Sequence, residues 1–328
     1  MRGAGDVSRY EVIPGWAKIP PGWDLVEVPG LAVDSKGHIF AFTRGEPPVV
    51  VFDREGHVLT SWGSGQFQRP HAAVIGPDDA MYCVDDFAHS VRKFSPEGKL
   101  LMTIGPSGSR SDTGFVPDDF LSVKHGGPPY NQPTSVALSP AGEIYVADGY
   151  GNSRVHKFSQ GGELLLSWGE PGCGPGQFHL VHGICVDHQG RVYVGDRMNS
   201  RIQVFDPTGK FLAQWNDVYQ PNDLHVDTGD RIFVAEIGYR PDLPMPGPRP
   251  LPRDRFSRVT VRNLEGRILT TVTKSDPGAP GGFLSAHAVR TDAHGDLYVG
   301  EVSATRARNQ GKDRHAFNIL QKFRRIQA

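Results

Sequence analysis

Three histidines, His71, His182 and His287, hold the same position in alternate copies of an internal repeat. Imidazole nitrogen is a common zinc ligand, and three histidines that leave a fourth position open are typical of catalytic rather than structural zinc. A metal with an open position makes a bound hydroxyl group more acidic near neutral pH. The pattern therefore predicts one catalytic zinc ion held by these three side chains.

The repeat has six copies, and alternate members of a six-membered ring lie about 120° apart, so that the three imidazoles can converge on its axis. Each copy contains four short apolar-alternating segments separated by turn residues, which predicts four strands with one face against a neighbouring sheet. In the third copy these segments are SVALS, IYVAD, RVHKFS and ELLLSWG. Four strands per repeat predict an all-β fold, a six-bladed β-propeller. From the first copy to the sixth, the position of the histidines is filled by Gly30, His71, Thr134, His182, Asn222 and His287.

We expect the whole chain, 1–328, to form a single propeller domain. Residues 8–25 precede the first complete copy, and the sixth copy leaves little chain for an outermost strand, so we predict that this segment supplies that strand and closes the ring. The blades are predicted at about 28–66, 67–105, 131–170, 178–217, 219–273 and 283–327.

Three insertions interrupt the repeat, at 106–130, 238–257 and 303–316. Long loops on a rigid scaffold either rim a functional face or merely elaborate the surface.

Composition excludes several classes of function. The formal net charge is −1 and no basic cluster stands out, which argues against nucleic acid as a partner. No apolar run reaches about 18 residues, so a membrane span is not expected. The N-terminus lacks an apolar signal-peptide core, and the three cysteines are predicted to be free thiols, so a cytoplasmic location is the default expectation.

A second repeated position, at the end of the second strand, carries an acid in five copies. Acids at strand ends usually accept hydrogen bonds from backbone donors or from an arginine of the same repeat, here Arg92, Arg154 or Arg201, and we expect that structural role. The five acids are Asp85, Asp148, Asp196, Glu236 and Glu301.

The next position varies between copies and should face the same end of the ring as the histidines. Arg44 and Arg197 hold it in copies one and four, where they could bind a substrate carboxylate through bidentate hydrogen bonds or pair with neighbouring acids. Tyr150 follows this position in copy three and could act as a general base, a hydrogen-bond donor or buried scaffold. From the first copy to the sixth the position reads Arg44, Asp86, Gly149, Arg197, Ile237 and Val302.

At these residues the chain resembles the NHL-repeat propellers and, within them, peptidyl-α-hydroxyglycine α-amidating lyase. The motifs are ADGYGNSR (147–154), the PGQF-to-VHG segment (175–183) and GDRMNSRIQVF (195–205), and the resemblance covers about 25–325. It implies an axial zinc on the three histidines and a catalytic set of Tyr150, Arg44 and Arg197. The implied reaction cleaves the C–N bond of an N-acyl-α-hydroxyglycine or related carbinolamide to an amide and glyoxylate.

The chain departs from that family around its last histidine. Ala288 stands where the family has an aspartate that binds a structural calcium, so calcium is not expected here, although the carbonyl positions of Leu31 and Ala73 remain. Ser285 replaces a methionine and changes the pocket. We expect Ser285 and Asp86, with the two arginines, to bind a small-molecule or short-peptide substrate that bears a carboxylate.

Two other functions remain open. A metal-dependent hydrolase such as a lactonase is one, since six-bladed propellers host these enzymes too. Such sites typically use calcium bound by carboxylates and Asn, and the axial position offers only Asn222, with Asp223 beside it. A binding scaffold without catalysis is the other. The oligomeric state is not predicted.

Overall fold

The computed structural model describes residues 8–238 and 256–326, which form a six-bladed β-propeller, as predicted. Each blade is a four-stranded antiparallel sheet. The strands of blade one are β2 Gly30–Val33, β3 Ile39–Phe42, β4 Val49–Phe52 and β5 Val58–Trp62. Those of blade two are β6 Pro70–Ile75, β7 Met81–Asp85, β8 Ser90–Phe94 and β9 Leu100–Ile104. Those of blade three are β10 Pro133–Leu138, β11 Ile144–Asp148, β12 Arg154–Phe158 and β13 Leu164–Trp168.

The second half of the chain repeats this plan, after a short parallel pair, β14 Glu170–Pro171 and β15 Gln177–Phe178. The strands of blade four are β16 Val181–Val186, β17 Val192–Asp196, β18 Arg201–Phe205 and β19 Phe211–Trp215. Those of blade five are β20 Pro221–Val226, β21 Ile232–Glu236, β22 Arg258–Arg262 and β23 Ile268–Val272. Those of blade six are β24 Ala286–Thr291, β25 Leu297–Glu301, β26 Leu320–Ile326 and β1 Arg9–Ile13.

The N-terminal strand closes the ring, which confirms the prediction. β1 pairs with β26 as the outermost strand of blade six, from Arg9 opposite Ile326 to Ile13 opposite Lys322. The innermost strands of successive blades contact one another around the whole ring, including β24 with β2. Apolar side chains fill the space between neighbouring blades; between blades two and three, for example, Val84 and Val136 share one buried cluster. Packing between the blades thereby sets the position of the N-terminal end of each innermost strand around the axis.

The acids at the ends of the second strands have the predicted structural role, because each accepts a hydrogen bond from a backbone N–H that precedes its innermost strand. Asp148 does not pair with the arginine of its own repeat: it contacts Nε2 of His156 at 3.2 Å, whereas Arg154 pairs with Glu170 at 2.6 Å. The acid and backbone donor pairs are Asp85–Gln68, Asp148–Asn131, Asp196–His179, Glu236–Tyr219 and Glu301–Leu284.

Two of the insertions fold over one end of the ring. The insertion at 303–316 contains a short helix, α1 Ser303–Asn309, and a 3₁₀ turn, Arg314–Ala316. The insertion at 238–257 lies outside the described residues except at its ends. Within the described ranges no helix has the length and apolarity needed to cross a membrane.

Candidate metal centre

The residues at the axial position interrupt strand pairing in five of the six blades. In blade two, Pro70 pairs with Asp85 and Ala72 with Val84, so that His71 between them is an extra residue in a β-bulge. A bulge bends the strand locally and changes the direction of a side chain. The equivalent irregularities include Thr134, His182, Asn222 and His287, whereas Gly30 of blade one pairs regularly with Phe42.

The three axial histidines converge on one point. The ring centroids of His71, His182 and His287 lie 4.9, 5.0 and 5.0 Å apart, which is close to an equilateral triangle. One ligand nitrogen from each lies within 4.8 Å of the others, and all three side chains are buried. This arrangement could hold a single metal ion on the axis.

Backbone carbonyls fix the protonation of each imidazole. A carbonyl oxygen can only accept, so the Nδ1 atom that faces it must carry the proton, and in the neutral ring Nε2 is left with its lone pair. Carbonyl groups that orient metal-binding histidines in this way are usual at metal sites. The three Nδ1 atoms donate to the carbonyls of Thr134 at 2.6 Å, Asn222 at 2.7 Å and Pro29 at 2.9 Å.

Burial keeps these imidazoles neutral. Desolvation is the main cause that lowers the pKa of His71 and His182 well below the usual value, and it lowers the pKa of His287 to about 3. Nearby guanidinium groups act in the same direction, Arg197 on His182 and Arg44 on His287. At neutral pH the three rings therefore present the unprotonated nitrogens that a metal requires.

Tyr150 covers the face of the histidine cluster. Its hydroxyl oxygen lies 3.0 Å from Nε2 of His71 and 3.2 Å from Nε2 of His182. The residue before it must be glycine, because a Cβ atom on Gly149 would lie 1.7 Å from the carbonyl oxygen of Val181. The tyrosine ring contacts Phe120 from the insertion at 106–130, with the ring centroids 5.3 Å apart.

A cavity of about 370 Å³ opens above this centre. Five of the residues singled out in the sequence line it, namely Arg44, Tyr150, Arg197, Ser285 and His287. The insertions at 106–130 and 303–316 also contribute to the lining, so both lie at the rim of this cavity. Asn222, which the sequence offered only as a ligand of a lactonase-type site, also lines the cavity. The lining residues that the sequence analysis did not assign to any site include Arg69, Asp118, Phe120, Thr305, Arg306 and Asn309.

Two buried acids hold arginines at this cavity. Nη1 of Arg44 donates to Glu27 at 2.7 Å, so this arginine both pairs with an acid and faces the cavity. Asp86, expected at the substrate, is instead fully buried beside the cavity wall, where both carboxylate oxygens accept hydrogen bonds from Arg69 at 2.5–2.9 Å. These hydrogen bonds hold Arg69 in position. The longer side chain of Arg69 reaches the cavity surface, whereas the shorter side chain of Asp86 does not.

Only some of these unassigned lining residues could have been recognised from the sequence. Arg69 lies two residues before His71, at a position where the other copies have no charged residue, and this contrast marks it. Thr305 and Arg306 belong to helix α1 in the insertion at 303–316, which lies outside the repeated segments, so the repeat says nothing about where they lie.

Among the described residues, an arginine takes up the oxygen groups on the axis that an axial calcium would need. With Ala288 in place of an aspartate, the guanidinium of Arg290 crosses the axis and donates to the carbonyl oxygen of Ala73 at 2.9 Å and to Asp223 at 2.6 Å. Ala73 supplies one of the carbonyls that the sequence left available for calcium, and Asp223 is the carboxylate that a lactonase-type calcium site would need. Both oxygen groups are occupied by an internal cation, so the residues do not fit calcium.

Comparison with known proteins places these features in a family. A model of the NHL repeat matches residues 130–158 and 178–205, in blades three and four. Human NHL repeat-containing protein 3 is 33% identical over 317 residues, which are 90% of this chain and 82% of that protein.

One enzyme and one solved structure extend the comparison. Peptidyl-alpha-hydroxyglycine alpha-amidating lyase 1 of Drosophila melanogaster is 30% identical over 283 residues, 76% of this chain but only 46% of that protein. The structure of virginiamycin B lyase from Staphylococcus aureus covers 85% of this chain and 78% of its own, with a TM-score of 0.53 and 14% identity. At that identity the likeness is one of fold alone.

Proposed function

Because this chain belongs to the family of NHL-repeat proteins that includes human NHL repeat-containing protein 3, with named amidating lyases among its relatives, we propose that it is a metal-dependent carbon–nitrogen lyase. The substrate is an N-acyl-α-hydroxyglycine or a related carbinolamide, and the products are an amide and glyoxylate. The observation that carries the proposal is the buried triangle of imidazoles, with a tyrosine hydroxyl over it and arginines in the same cavity.

His71, His182 and His287 would hold the metal through Nε2, and we propose zinc because three neutral imidazoles with an open position suit it. Bound there, zinc would act as a Lewis acid that makes a substrate hydroxyl group more acidic. A binding scaffold would have no need for three buried imidazoles with converging lone pairs, since the one hydroxyl group of Tyr150, which lies near two of them, can donate to only one at a time.

Tyr150 is proposed to move the proton. Its Oη accepts the proton of the α-hydroxyl group as the phenol's own proton passes to the amide nitrogen. The C–O bond becomes the aldehyde C=O, and the C–N bond breaks with its electron pair on that nitrogen, which completes the primary amide and leaves Tyr150 as it began. The reaction needs neither water nor an oxidant, because a single proton moves from oxygen to nitrogen. Transfer by a positioned side chain of this kind accelerates such reactions by about 10²–10⁴-fold.

Arg44 and Arg197 are proposed to bind the substrate carboxylate. Both line the cavity, and a guanidinium matches a carboxylate through paired N–H donors. The ion pair with Glu27 holds Arg44 in place before substrate arrives, which reduces the entropy lost on binding.

Zinc-loaded protein and α-hydroxyhippurate test the proposal. We expect equimolar benzamide and glyoxylate, and about one zinc per chain. His182→Ala should lose both the zinc and glyoxylate release, whereas His188→Ala, a change to a half-exposed histidine paired with Asp230, should keep both. Zinc retained by His182→Ala would refute the metal site, and wild-type protein that holds zinc but releases no glyoxylate would refute the lyase assignment.

A further inference from the structure

Asn222 holds the axial position of blade five, between His182 and His287 in the order of blades, and its side chain is 2% exposed. Its Nδ2 atom donates to the backbone carbonyl of Ala286 in the next blade at 2.9 Å, much as the histidines bond to carbonyls of their neighbours. Because that carbonyl can only accept, the orientation of the amide is fixed and Oδ1 is the atom turned away from it.

Oδ1 of Asn222 is a buried acceptor that has no hydrogen-bond partner within the described residues, and Asn222 lines the cavity. Buried polar atoms in native proteins are nearly always bonded, so such an atom beside a cavity is suited to a donor that a ligand in the cavity brings. Three arginines that line this cavity, Arg44, Arg69 and Arg197, are hydrogen-bond donors and suit a carboxylate or a carbonyl oxygen.

The substrate class set out under Proposed function has one group that needs such an acceptor. The carbinol carbon carries a hydroxyl group, a carboxylate and an amide nitrogen. Under that function Tyr150 of blade three is assigned to the hydroxyl group and the arginines to the carboxylate. The lining side chains whose carboxylate or amide oxygens then remain for the N–H are Asp118, Asn222 and Asn309. Asn222 is the buried one of these, whereas Asp118 and Asn309 are exposed. Resting on that function, we infer that Oδ1 of Asn222 accepts the hydrogen bond of the substrate amide N–H and so selects amides over esters.

The test compares two stable ligands, hippurate and its ester analogue O-benzoylglycolate. They differ only in that the amide N–H of hippurate is an ester oxygen in O-benzoylglycolate. Binding to the zinc-loaded protein is measured by calorimetry. We expect wild-type protein to bind hippurate about tenfold or more tightly than the ester, because the ester leaves a buried acceptor unpaired. Asn222→Ala should bind the two ligands with equal affinity within about twofold, since it removes the acceptor.

Two further variants make the result specific. Asn222→Asp loses the donor to the carbonyl of Ala286 but keeps an acceptor oxygen, and its charge weakens the binding of both anionic ligands alike, so the preference for hippurate should persist. Asn309→Ala removes an exposed amide from the rim of the same cavity and should also keep the preference. All variants should retain zinc.

Three outcomes would overturn the assignment of Asn222. They are equal affinity of wild-type protein for both ligands, an unchanged preference in Asn222→Ala, and loss of zinc in Asn222→Ala, which would make the residue a metal ligand. Each is distinct from failure of the lyase proposal, which is the absence of glyoxylate from wild-type protein and α-hydroxyhippurate.

Discussion

The hydroxyl oxygen of Tyr150 lies 3.0 Å from Nε2 of His71, although the two residues belong to neighbouring blades and are 79 positions apart in the chain. The hydrogen bond turns the phenol group towards the nitrogens that would hold a metal. A single hydroxyl group therefore lies beside both the candidate metal centre and the cavity above it.

Tyr150→Phe should lower kcat for glyoxylate release by about 10²–10⁴-fold, the range expected when a proton-transferring side chain is lost. The zinc content should not change, because the three histidines are oriented by backbone carbonyls rather than by the tyrosine. Steady-state kinetics and metal analysis measure the two effects. Tyr82→Phe, in the apolar cluster between blades two and three, is the control and should leave kcat unchanged.

Gly149→Ala should reduce both stability and activity. The added Cβ atom would lie 1.7 Å from the carbonyl oxygen of Val181, so the backbone must move and carry Tyr150 away from the histidines. A misplacement of a catalytic side chain by about 1 Å can lower the rate by about 100-fold. Gly161→Ala is the matched control, because its nearest neighbour would be 3.7 Å away. Equal melting temperatures and rates for the two variants would show that the close approach at Gly149 is unimportant.

Arg290→Met should destabilise the fold by about 3–5 kcal/mol, because it leaves the buried carboxylate of Asp223 without its cation. Calcium and chelators selective for it should not shift the melting temperature of wild-type protein, since the guanidinium occupies the axial carbonyl of Ala73. Thermal unfolding measures both effects. Arg324→Met breaks an exposed pair with Glu11 and should cost about 1 kcal/mol or less. A large stabilisation of wild-type protein by calcium would contradict this assignment.

Glu301 should make stability depend on pH. Within the described residues it accepts hydrogen bonds only from neutral groups, and burial raises its pKa from 4.5 to about 7. Because the folded state favours the protonated carboxyl group, this contribution is complete below about pH 4.5 and is lost as the pH rises through 7.

The contribution of Glu301 to the free energy of unfolding should therefore fall between about pH 5 and pH 8, by an amount on the order of 3 kcal/mol. The buried histidines, whose pKa values are lowered, act in the opposite direction below about pH 6.5, so the informative quantity is a difference between two proteins. The stability of wild-type protein minus that of Glu301→Gln should decline over this range, and the stability of wild-type protein minus that of Glu265→Gln, a change on the exposed surface, should not. Denaturant titrations at several pH values measure the difference. A parallel decline in both variants would assign the pH dependence to other groups.

The repeat in the sequence was sufficient to predict the six blades, the strands of each copy and the strand that closes the ring. Strand alternation and turn residues act locally, so they can be recognised without knowing which blades are neighbours. The same repeat aligned His71, His182 and His287 at one axial position, and it indicated the structural role of the strand-end acids.

Only the tertiary structure decided which way the side chains around the axis are turned and which of their atoms face one another. Ring closure brings a carbonyl of the next blade to each imidazole, and it is this contact between blades that sets the tautomer. The same closure allows Arg290 to span the axis between blades two and five and buries Asp86 behind Arg69. No pattern within one repeat encodes these contacts, because they join residues that are distant in the chain and whose directions depend on bulges and on side-chain length. The sequence thus determined which residues surround the axis, and packing between blades determined which atoms face it.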